Sequence, residues 1–184
     1  MSKSPKQNIS LKMTVALAML AAISIILGKY LAIPVGNVLR FSFENLPIIF
    51  AGVAFGAFPA MLVAIIADIL GCILVSYSIN PIVTLGAAII GVVAGITPRL
   101  VKKLTPLSQT PLVIITVSLS HLCGSVLIKT FGLAVYYDMP IPLLMMWRLL
   151  NYVVVGALEI IIISILLKRE GVRQEIDKFK LKSK

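Results

Sequence analysis

Four positive charges stand apart from the other basic residues of this apolar chain: Lys29, Arg40, Lys129 and Arg148. A guanidinium binds a carboxylate through paired, charge-assisted hydrogen bonds, and aromatic rings beside it offer stacking faces, so two arginines near aromatic residues could recognise an anion. Arg40 is followed by Phe41 and Phe43, which alternate with polar residues, and by Glu44, which is close enough to neutralise it. Arg148 lies in Met146-Trp-Arg-Leu-Leu-Asn-Tyr152, with Trp147 beside it. On a helix, Asn151 falls on the same face as Arg148. His121, Ser125 and Lys129 recur at i, i+4 and i+8, within an arc of about 80° on a helix. Asp68 is followed at the same spacing by Cys72 and Ser76, and Glu159 is the other acid inside an apolar run.

Each of these residues also has a plainer reading. Lys29 reads as an interface anchor whose stem snorkels to the polar boundary. Arg40 and its phenylalanines are a binding element or an ordinary charged loop. His121 and Ser125 either face a wet cavity or join helices by hydrogen bonds. Arg148 is a functional cation or a snorkelling one under an aromatic belt. A buried arginine costs roughly 2.5–3.5 kcal/mol at mid-span, which favours the functional role. Asp68 and Glu159 are each open as proton relay, cation ligand or hydrogen-bond hub, and Asp68 is the better candidate for facing a cavity. His121 is the only histidine, and the chain has no Gly-x-x-x-x-Gly-Lys-Ser/Thr loop, HExxH, CxxC or GxSxG. Metal, triad and P-loop ATP chemistry are therefore unsupported, and neither an enzyme nor a cofactor is expected.

The elements that position these groups are membrane helices. The chain has 184 residues, 59% of them hydrophobic, and a mean hydropathy of +1.05. Apolar runs near 13–33, 82–98, 112–134 and 143–167 each match a hydrocarbon core of roughly 30 Å. The segment 46–75 is too long for one helix. Gly56 and Pro59 divide it, which predicts a short helix near 46–57 and a full one near 60–77. The net charge of +10 does not call for nucleic acid, because thirteen of the seventeen basic residues flank the spans. They are Lys3, Lys6 and Lys12, then Arg99, Lys102 and Lys103, then Lys168, Arg169, Arg173, Lys178, Lys180, Lys182 and Lys184. Only if 46–57 crosses do all three clusters lie in the cytoplasm, as the positive-inside rule prefers. The expectation is thus an all-α membrane protein of six transmembrane helices in one domain. Residues 1–12 and 168–184 are cytoplasmic tails, 13–167 the bundle, and about 34–45, 77–81 and 135–142 the outer loops. The first span reads as a retained helix rather than a signal peptide. Cys72 and Cys123 imply no disulfide.

Two small-residue stripes offer close helix contact: Thr14, Ala18 and Ala22, and Ala87, Gly91 and Gly95. Either is a docking face or internal packing.

The run Ala18-Met-Leu-Ala-Ala22, the stretch Leu39-Arg-Phe-Ser-Phe-Glu-Asn-Leu-Pro-Ile-Ile-Phe-Ala-Gly52, then Phe55-Gly56, Ala67-Asp-Ile-Leu-Gly71 and Asn80-Pro-Ile-Val-Thr-Leu-Gly-Ala-Ala88 stand in a fixed order. In that order the chain resembles the substrate-binding S components of energy-coupling factor (ECF) vitamin transporters, most like their folate branch. The resemblance implies a vitamin pocket at the outer face. It also implies a transmembrane T subunit docked at Ala18 and Ala22, and two cytoplasmic ATPases that drive uptake. It makes Arg40 and Arg148 the leading substrate contacts; the reading of the residues themselves adds Phe41, Phe43, Asp68, His121, Lys129, Trp147 and Asn151 as candidates. Charge alone leaves biotin and pantothenate open beside folate, with riboflavin a further alternative. Two readings of other classes remain: a ligand-free structural or regulatory subunit, and a solitary ion-coupled carrier using Asp68 or Glu159.

Overall fold

No water reaches a bilayer core to satisfy backbone N–H and C=O groups, so a chain this apolar must close its hydrogen bonds within helices. The computed structural model describes residues 11–35, 39–105 and 107–182. Lys3, Lys6 and Lys184, and the 36–38 part of the first loop, lie outside them. Helix α1 (Leu11–Ile25) runs on into a π-helical turn, Ile26–Tyr30. Two short antiparallel strands follow, β1 (Ile33–Val35) and β2 (Leu39–Phe41), with Pro34 opposite Arg40. Then come α2 (Asn45–Phe55), α3 (Ala57–Leu74) and α4 (Pro81–Leu104). A continuous rod is built from α5 (Gln109–Ser120), a π-helical segment (His121–Lys129) and α6 (Thr130–Tyr137). Helix α7 spans Ile141–Lys168 and α8 spans Glu170–Lys182.

Five of these stretches are long and apolar enough to cross a membrane: Leu11–Tyr30, Ala57–Leu74, Pro81–Leu104, Gln109–Tyr137 and Ile141–Lys168. Helix α2 has eleven residues, about 16 Å at 1.5 Å per residue. Large apolar side chains such as Val153, Ile161 and Ile73 are exposed on the helices, as a lipid-facing surface requires.

The break between α2 and α3 falls at Gly56, whose φ of 103° is a conformation that favours glycine. Arg99 lies beside it: a Cβ on Gly56 would sit 2.8 Å from Arg99 Nη2. The α2–α3 turn and the Arg99–Lys103 cluster therefore share one end of the bundle. Asn80 starts α4, its Oδ1 accepting from the N–H groups of Ile82 and Val83 at 3.0 and 3.3 Å, with Pro81 at the first helical position.

Small residues let α2, α3 and α4 approach closely. A Cβ on Gly91 would lie 2.6 Å from the Ala60 backbone, and one on Gly95 would strike Gly56 and Ala57. The Ala87–Gly91–Gly95 stripe is therefore internal packing. The expectation of an all-α chain misses the β1–β2 pair, whose strands are only three residues each. The basic C-terminal stretch is a helix, and Ile176 is buried within the apolar cluster of the bundle.

Candidate functional site

Cations inside a low-dielectric bundle need partners or water, and the four exceptional ones share a cavity. It has a volume of about 290 Å³, near the lower bound of roughly 300–1,000 Å³ for sites that enclose a small ligand. Lys29, Arg40, Lys129 and Arg148 all line it, with Glu44 and Asp68 as its carboxylates. Four cations against two acids leave the lining with two positive charges.

Both π-helical segments contribute a lysine. The i→i+5 bonding of a π-helix widens the turn and is common at functional sites. In α1 it presents Lys29; in the long rod it presents His121, Ser125 and Lys129 to the cavity together. Gly86 of α4 makes room there, since a Cβ on it would lie 2.7 Å from Lys129 Cγ and 2.9 Å from the Gly124 carbonyl. Lys129 is almost fully buried, and its Nζ donates to Glu44 Oε1 at 2.8 Å. Arg40 Nη2 lies 3.9 Å from Glu44 Oε2, and its guanidinium carbon is 5.6 Å from the Tyr77 ring centroid. Burial acts to raise the Glu44 pKa. Lys129, Arg40 and Lys29 outweigh it and hold the carboxyl well below the usual range.

Helix α7 supplies Trp147, Arg148, Asn151 and Tyr152. Asn151 Nδ2 donates to the Arg40 carbonyl at 2.9 Å, which fastens β2 to α7 across the cavity mouth. Arg148 Nε and Trp147 Nε1 are buried without a hydrogen-bond partner among the described residues. Asp68 Oδ2 accepts from the Thr84 hydroxyl at 2.6 Å. His121 Nε2 lies 2.5 Å from Glu159 Oε2, and both residues are buried. That pair ties the π-helical segment to α7, so Glu159 sits behind the cavity wall and not on it.

Of the residues proposed from sequence, Arg40, Asp68, His121, Lys129, Trp147, Arg148 and Asn151 converge on the cavity. Phe41 does not line it but packs on Trp147, with ring centroids 5.3 Å apart. Phe43 is not part of the lining either. Lys29, read as an interface anchor, instead lines the cavity, with Nζ 3.5 Å from Cys72 Sγ. Its stem passes Gly71, where a Cβ would lie 2.7 Å from Lys29 Cε. Hydropathy could not reveal this, since a lysine at a helix end looks the same whichever way it turns. Tyr77, Tyr137 and Tyr152 are further lining residues that carried no periodic signal. On α1, Ala18 and Ala22 face outward and exposed, unlike the stripe on α4.

A helical bundle with lipid-facing walls and a charged, aromatic cavity at one end defines an integral membrane protein of the solute-binding kind. A family model for the substrate-specific component of ECF transporters matches residues 12–169, and the chain belongs to that family. It is a transport subunit and not an enzyme. Among solved structures, it is similar to a crystal structure of FolT bound with folic acid. That match has a TM-score of 0.68 and 20% identity, over 84% of this chain and 91% of that one. It is also similar to the S component for biotin from an ECF-type ABC transporter. Here the TM-score is 0.67 and the identity 17%, over 98% of this chain and all of that one. No curated protein matches the chain significantly.

Proposed function

We propose that this protein captures a folate outside the cell and delivers it for ATP-driven uptake. The observation that carries the reading is the cavity: four cations outnumber two carboxylates in a lining that also holds Trp147, Tyr77 and Tyr152. A folate presents two carboxylates and a flat pterin, which such a lining complements. The buried, unpartnered Arg148 Nε is a donor that a carboxylate would satisfy. Biotin is the second reading, favoured by the similarity to the biotin S component and by its single carboxylate.

In this account the protein crosses the membrane six times in one domain. Helix α2 starts next to Glu44 at the cavity and ends at Gly56 beside Arg99, which supports counting it as a short crossing. Residues 13–167 form the bundle, the cavity faces outward, and both flanking tails lie in the cytoplasm of a bacterial cell. The exposed Ala18–Ala22 face docks a transmembrane T subunit, and two ATPases supply the energy.

The test is binding by Arg148→Ala. A charged hydrogen bond contributes roughly 1.5–3 kcal/mol, so folate affinity of the purified protein should fall about 10- to 100-fold. Unchanged affinity would remove Arg148 from the site. Saturable binding of biotin with none of folate would select the second reading.

A further inference from the structure

Glu44 occupies the N-cap position of α2, where a side chain ordinarily accepts hydrogen bonds from the first turn of its own helix. It makes no such bond. Its carboxylate turns into the cavity, onto Lys129 at 2.8 Å and towards Arg40 at 3.9 Å. The fold is shaped to hold it there. A Cβ on Gly28 would lie 2.6 Å from Glu44 Cβ and 2.9 Å from its Oε2, so only glycine leaves room. The Ser24 hydroxyl donates to the Glu44 carbonyl at 2.6 Å, fixing the backbone to α1. Asp68, the other lining carboxylate, is engaged by Thr84.

We infer that Glu44 is an internal counter-anion that competes with a substrate carboxylate for Arg40, and that it thereby sets the charge selectivity of the cavity. The two contacts are unequal. The Lys129 bond is short and part-buried; the Arg40 contact is beyond hydrogen-bond distance and is the one an incoming anion can displace. Lys129 then serves to hold Glu44 rather than to bind substrate. Arg40, Arg148 and Lys29 are the cations left to the ligand. Glu44 keeps the empty cavity from accumulating small anions, and it weakens binding of each further negative charge on a ligand.

Trp147 is the chain's only tryptophan and lines the cavity, so its fluorescence reports on anions there whatever the vitamin is. In detergent at low salt, Glu44→Gln should raise iodide quenching about two- to threefold, leave quenching by neutral acrylamide unchanged, and lose the effect at high salt. Glu44→Asp, which keeps the charge, should quench like the wild type. Glu44→Met replaces the glutamine variant if that one does not fold. Equal iodide quenching in the wild type and the charge-free variant would overturn the inference, as would an equal rise in Glu44→Asp. A second arm rests on the folate reading. In Glu44→Gln, the preference for folate over pteroate, which lacks the glutamate carboxylates, should rise about tenfold. An unchanged preference, with folate still bound, contradicts the competition at Arg40. A wild-type protein that binds no folate removes the vitamin and leaves the iodide result to decide the role of Glu44.

Discussion

At the residue scale, the chemistry turns on which cations have internal partners. Lys129 is bound to Glu44, Arg40 is only loosely engaged, and Arg148 Nε has no partner among the described residues. The Glu44 ion pairs also carry a pH signature. Its folded pKa lies below the ordinary 4.5, so the stability it contributes is present above that value and is lost as pH falls towards the folded pKa. The melting temperature of the wild type should therefore exceed that of Glu44→Gln by a constant margin between about pH 5 and pH 8, narrowing only below about 4.5. A margin that already shrinks at pH 6 would mean that Glu44 is not held ionised by its neighbours. The sequence singled out the cations by their departure from positive-inside sorting, and seven of the nine residues proposed as substrate contacts line the cavity. It misassigned Lys29, because the direction of a flexible stem depends on Gly71 across the interface. It also left Glu159 open, because its partner His121 is 38 residues away in sequence.

At the element scale, two departures from regular α-helix do the positioning. The π-helical turns at Ile26–Tyr30 and His121–Lys129 each turn a lysine into the cavity. The β1–β2 pair carries Arg40 over its mouth, where Asn151 holds it. Neither π-helical segment was legible: i, i+4, i+8 spacing describes the His121–Ser125–Lys129 face but not the backbone that presents it. The α2–α3 break was legible, because Gly56 and Pro59 punctuate an apolar run that no single helix could use. The two small-residue stripes looked alike in sequence and differ in packing. The α4 stripe is buried against α2 and α3, while Ala18 and Ala22 are exposed on α1. Ala18→Trp should thus leave ligand affinity within about twofold of wild type while abolishing uptake in cells that carry the other transporter subunits. A loss of binding in that variant would make the α1 stripe part of the internal packing instead.

At the scale of the whole molecule, Arg99 and the four exceptional cations stand in different places. Arg99 sits beside the α2–α3 turn, and Lys29, Arg40, Lys129 and Arg148 gather at the cavity. Hydropathy predicted the helical membrane architecture, five of whose stretches are long and apolar enough to cross. Whether the distant cations share one cavity depends on how α1, α7 and the long rod pack, which no local pattern encodes. The proposed function requires this cavity to carry a small anionic vitamin. The direct test is native mass spectrometry of the protein purified from cells grown with folate. One bound molecule of folate mass per chain is expected, released by Arg148→Ala. A protein that emerges without a small molecule and takes up no added folate, or one that carries a cationic vitamin, would contradict it.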